Sequence, residues 1–105
     1  MQNIKFNYLY RDAGNYKFFG SVIFSNPYNL SLDNIQLLLK NPLINGEWFI
    51  AEDLKLSSLF FDKHIADLDH LFHEFETVLF TEEESKSSLS INEFINLLQK
   101  ANWNY

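Results

Sequence analysis

The sequence predicts an α+β domain of order β-β-α-β-β-α, a mostly antiparallel twisted sheet with two helices packed on one face. Three observations carry this. Two strand-like runs separated by turn chemistry fill the first 25 residues, two later segments open with one shared helix-start pattern, and the chain between them supplies two more runs of strand composition. A single domain over residues 1–105 is expected, since about 100 residues is a common size for one hydrophobic core. Hydrophobic residues make up 47% and aromatics 17%, enough apolar surface to fold without cross-links.

The first run is an alternation of Ile4, Phe6, Tyr8 and Tyr10 with Lys5, Asn7, Leu9 and Arg11, the period of a half-buried strand. The second, Tyr16 to Ser25, is rich in aromatic and β-branched residues, and Asp12-Ala13-Gly14-Asn15 between them is turn chemistry. A hairpin follows, and its register can be derived. An odd loop such as Ala13-Gly14-Asn15 sets Phe18, Gly20, Val22 and Phe24 opposite Tyr10, Tyr8, Phe6 and Ile4, gathering the apolar residues on one face; an even loop scatters them.

After a loop at Asn26-Pro27-Tyr28-Asn29, Ser31 is a helix N-cap, Asp33 lies near the positive dipole end and Leu30 staples to Ile35. This helix ends at Asn41, before Pro42. The same device returns at Leu89-Ser90-Ile91-Asn92-Glu93-Phe94, a capping box from Ser90 to Glu93 with a staple from Leu89 to Phe94. Apolar stripes continue as Ile35, Leu38, Leu39 and as Phe94, Leu97, Leu98, and each must be buried. The shared start suggests two ββα halves.

Between the helices, Asn45-Gly46 is a turn and Glu47 to Ala51 a strand. Glu52 to Phe61 has a short helical turn as its nearest fit, and residues 62–75 suit either a helix or a loop. A strand from about Phe72 to Thr81 is favoured, with Phe75, Thr77 and Leu79 on one side and Glu76, Val78 and Phe80 on the other. Glu82 to Ser88 is an acidic, Ser-rich linker inside the domain.

The segment Ile4-Lys5-Phe6-Asn7-Tyr8-Leu9-Tyr10-Arg11-Asp12, followed by Gly14-Asn15-Tyr16-Lys17, resembles the start of small bacterial or phage-type proteins of unassigned function. Gly46-Glu47-Trp48-Phe49 and His73-Glu74-Phe75-Glu76 fall where those proteins also have strands. The resemblance implies one bacterial or phage-borne domain and carries no activity.

The absence of cysteine excludes disulfides, thiolate metal sites and cysteine nucleophiles, and it suits a reducing compartment. With no leader-like N-terminus and no apolar run of about 20 residues, a cytoplasmic protein off the membrane is expected. Catalytic motifs are missing: there is no G-x-S-x-G, no G-x-G-x-x-G and no P-loop. His70 and His73 among Asp67, Asp69, Glu74 and Glu76 supply a rival reading, a small metal-dependent hydrolase, because a helical i, i+3 pair can share an ion. On a strand the two point to opposite faces and become ordinary surface histidines, as His64 is. No cofactor or catalytic residue is assigned.

Two features signal interaction. On the outer face of the hairpin, Leu9 lies across from Phe19, with Ile23 beyond and Lys5, Arg11 and Lys17 around them, an apolar patch with a basic rim. Either a partner or second copy covers it, or the C-terminal Trp103-Asn104-Tyr105 does. The second feature is acidic. The net charge is −6, and it is uneven: four bases face two acids up to Gly46, and four bases face twelve acids after it. Asp62, Asp67, Asp69, Glu74, Glu76, Glu82, Glu83 and Glu84 are opposed in their stretch by Lys63, a face that could steer a basic partner. The sequence thus points to a non-enzymatic protein-binding module of inhibitor, immunity or antitoxin type. An RNA-stacking sheet ranks third, because the net charge repels phosphate.

Overall fold

The opening alternation forms β1 (Asn3–Arg11) and the aromatic run forms β2 (Lys17–Phe24), joined antiparallel. Their register runs from Ile4 opposite Phe24 to Arg11 opposite Lys17, so Phe6, Tyr8 and Tyr10 face Val22, Gly20 and Phe18 as the odd loop requires. The computed structural model describes residues 2–11, 14, 16–44, 46–54, 56, 72–85 and 87–101. Helix α1 (Leu32–Lys40), strand β3 (Trp48–Ile50), a 3₁₀ turn at Ala51–Leu54, strand β4 (Phe72–Thr81) and helix α2 (Ile91–Lys100) complete the β-β-α-β-β-α order. The sheet is antiparallel, in the order β2-β1-β4-β3.

Both helix starts are built as their sequences dictate. Ser31 accepts from the Asn34 N–H, while Ser90 and Glu93 close a reciprocal capping box. Leu30 and Leu89 pack against the core ahead of them. The core lies on one face of the sheet and is aromatic: around Phe6 stand the rings of Tyr8, Phe24, Phe49, Phe75 and Phe94, with centroids between 5.2 and 6.4 Å away. Ile35 and Leu39 of α1 and Ile91, Phe94, Ile95 and Leu98 of α2 close over it. Burial raises the Tyr8 phenol above its ordinary value, because the phenolate would lose its hydration.

Four expectations are corrected. Strand β4 does not alternate throughout. The register against β1 slips between Asn7 and Tyr8, so that Glu76 is bulged out and Phe75 falls opposite Tyr8. The slip carries Phe75 to the core side, stacked 5.5 Å from Phe6, while Val78 and Phe80 stay on that side opposite Phe6 and Ile4. Leu38 is exposed, because nine residues of helix turn only Ile35 and Leu39 fully inward. Two ββα halves would place β3 beside β1, yet β3 is the far edge and β4 is central. The shared helix start is therefore capping chemistry recurring locally. Finally, His73 is no surface residue: it is fully buried, its ring 6.0 Å from Tyr8, 5.1 Å from Tyr10 and 6.0 Å from Phe49.

The passage from β2 to α1 turns on a buried amide. Asn26 Nδ2 donates to the Leu30 carbonyl and Asn26 Oδ1 accepts from the Leu30 N–H, each at 3.0 Å, while the Asn26 carbonyl accepts from Asn29. Asn29 closes the loop at φ 50°, a left-handed conformation that asparagine tolerates. Gly46 does the same at φ 72° in the turn before β3. Among the described residues no helix is long and apolar enough to cross a membrane.

Candidate protein-binding surface

Strand order brings the two interaction signals onto one face. Because β1 pairs with β4 as well as β2, Leu9 stands between Phe19 and Glu74. Arg11 reaches across the sheet to Glu74, with Nε 2.9 Å from Oε2 and Nη2 3.5 Å from Oε1, a forked geometry that raises the guanidinium's affinity for its proton. Lys5 lies 3.6 Å from the Glu83 carboxylate. Bases of the first half and acids of the second thus meet across β1 and the end of β4. Among the described acids of the acidic stretch, Glu76, Glu82 and Glu84 remain exposed without such a pair.

The hairpin patch divides. Leu9 is 8% exposed and buried on the face away from the aromatic core, whereas Phe19 is 58% exposed, Ile23 is half-buried and Lys17 is exposed. Exposure also extends to Tyr16 at 71% and Phe18 at 45%. The sequence signal for Phe18 is the pair Phe18-Phe19: adjacent strand residues point to opposite faces. Asp62, Asp67, Asp69, His64, His70 and the Trp103-Asn104-Tyr105 cover lie outside the described residues.

Strand β2 is a sheet edge, and its backbone polarity can be assigned. In an extended strand the N–H and C=O of one residue point to the same side, and successive residues alternate. The Ile23 carbonyl accepts from the Ser85 hydroxyl at 3.0 Å, and the Ser25 carbonyl accepts from the Ile91 N–H at 2.8 Å, both on the side away from β1. The Phe75 N–H donates to Glu47 at 2.8 Å, so Phe75 does not bond Tyr8, and the even residues of β1 face β2. By both routes Lys17, Phe19 and Ser21 aim their backbone groups outward. The segment after β4 already occupies the end of this edge through Ser85 and a parallel bridge between Ser25 and Ser90. The stretch from Lys17 to Ser21 has no strand beside it among the described residues.

Other sites are less developed. A hollow of about 490 Å³ on the outer side of α1 is lined among the described residues by Leu37, Leu38, Lys40 and Asn41, and a neighbouring one that shares Leu37 and Lys40 adds Asp33 and Gln36. Among the described residues no three histidine or acidic side chains converge as metal ligands. His73 is enclosed by aromatic rings. Compared with protein-family models, curated proteins and solved structures, the chain finds no match in any of the three.

Proposed function

We propose that this protein is a non-enzymatic binding module that occludes or scaffolds a protein partner, with the outer edge of β2 and its aromatic flanks as the contact. One observation carries the reading: Tyr16, Phe18 and Phe19 stand exposed beside outward-facing backbone groups on an edge strand. Such an edge is a template for strand addition, in which the main chain supplies affinity and flanking side chains supply selection. Lys17 adds the basic rim, and Arg11, held by Glu74, stiffens the neighbouring strand.

A second reading is favoured by the exposure of Glu76, Glu82 and Glu84, which would meet a basic partner. Capture of partners on immobilised protein separates the two. Ser21→Pro removes an outward N–H without touching the ladder to β1, so it abolishes capture through the edge. The triple change Glu76→Gln, Glu82→Gln, Glu84→Gln leaves that capture intact, and it persists from about 50 mM to about 500 mM salt. Loss with the triple change and with salt moves the contact to the acidic segment. Capture insensitive to both variants rules out both surfaces.

A further inference from the structure

Resting on the reading of the β2 edge as the contact surface, we infer that its occupant is a second copy of this chain, paired antiparallel through β2 about a two-fold axis at Phe19. The register follows from what is open. Ile23 and Ser25 are already engaged by Ser85 and Ile91, so the stretch of this edge with no strand beside it among the described residues runs from Lys17 to Ser21, and its midpoint is Phe19. A two-fold at that residue is the arrangement that pairs the whole stretch with itself.

The side chains agree with this register. Phe19 meets its own mate as a cross-strand aromatic pair, Lys17 meets Ser21, and Phe18 lies across from Gly20, where the absent side chain leaves room for the ring. No like charges fall opposite each other. Charge does not oppose this edge: β2 itself carries no acid, so no carboxylate lies within the paired stretch of either copy. The exposed parts of Tyr16, Phe18 and Phe19 on both copies, with the paired backbone, come to roughly 1,000 Å². That is the low end for a specific complex, so the dimer forms and dissociates with concentration. It closes on itself because the opposite edge, β3, is three residues long and cannot propagate the sheet.

Sedimentation over a concentration series tests the inference. Wild type is expected to pass from monomer to dimer, more readily at higher salt as the mutual repulsion is screened. Ser21→Pro raises the dissociation constant about tenfold or more. Should that variant misfold, Phe19→Lys does the same by setting like charges together at the axis, at a side chain that is already 58% exposed. The register is read by oxidation, since the chain has no cysteine of its own. Phe19→Cys cross-links to its mate across about 5.5 Å, while Lys17→Cys and Ser21→Cys, each about 13 Å from its own mate, do not. A wild type that stays monomeric up to about 1 mM, or equal cross-linking at all three positions, overturns the inference. If Ser21→Pro then still abolishes capture of a different protein, the edge remains a docking site and only the second copy is lost as its occupant. If it does not, the functional reading falls too.

Discussion

Replacing Asn26 with alanine is expected to destabilise the fold out of proportion to the atoms removed. The side chain is fully buried and holds both backbone groups of Leu30 at 3.0 Å. A net hydrogen bond contributes about 1 kcal/mol, and each backbone group left unpaired away from water adds about 1 kcal/mol or more. Leu30 is half-buried, so water recovers part of that loss, and the total comes to about 3 kcal/mol. In a domain of this size that lowers the melting temperature by roughly 15 °C. Urea titration followed by circular dichroism gives the free energy directly. Asn26→Asp serves as the control: it keeps the acceptor for the Leu30 N–H but buries a carboxyl, whose folded pKa burial raises. The sign follows: the folded state then binds the proton more tightly, so the variant is least stable at neutral pH and recovers as pH falls through that pKa. A midpoint for Asn26→Ala within about 0.5 kcal/mol of wild type would show that the loop does not depend on this clasp.

The surface and interior members of the hairpin patch should separate cleanly. Leu9→Asp costs more than about 3 kcal/mol by burying a charge, whereas Phe19→Asp stays within about 1 kcal/mol, both read by urea midpoints. Ser90→Ala, which opens the capping box of α2, costs about 1 kcal/mol in the same assay. Glu93 lies below its ordinary 4.5 because its carboxylate accepts from the Ser90 N–H and hydroxyl. A depressed carboxyl stabilises above its unfolded value and loses that contribution as pH falls through the folded one, so Glu93→Gln should flatten the decline in stability below pH 4.5. A double-mutant cycle on Arg11→Ala and Glu74→Ala should give a favourable coupling that shrinks in high salt, since the pair is partly solvated.

The hairpin and both helix starts were legible because each is fixed by local rules that the sequence states outright. Face periodicity set the register from Ile4 opposite Phe24 to Tyr10 opposite Phe18, and Ser31 and Ser90 marked the caps. What local rules could not show was long-range. The bulge at Glu76 depends on which strand lies beside β4, and without it Phe75 reads as an outer residue. His73 looked polar and available, yet the partner that encloses it, Tyr10, lies far away in sequence and joins it only once β1 and β4 pair. The edge position of β2 is likewise a property of sheet order, and with it goes the candidate surface.

The pairing of β1 with β4 also changes what the charge asymmetry means. Read along the chain, the bases before Gly46 and the acids after it look like two separate attractive surfaces. Folded, Arg11 is held by Glu74 and Lys5 by Glu83, so two of the first half's four bases are engaged across β1 and β4, where they tie the first half of the chain to the second. Lys17 sits one strand farther out, at the tip of the hairpin and beyond the row of acids along β4. Salt should therefore act on this protein in two opposite ways. Screening loosens the cross-strand pairs within a molecule, and it relieves repulsion between molecules that meet at β2. A binding event strengthened by salt, alongside a fold slightly weakened by it, is the combination that pairing of two copies through the β2 edge requires; contact through Glu76, Glu82 and Glu84 would weaken both together.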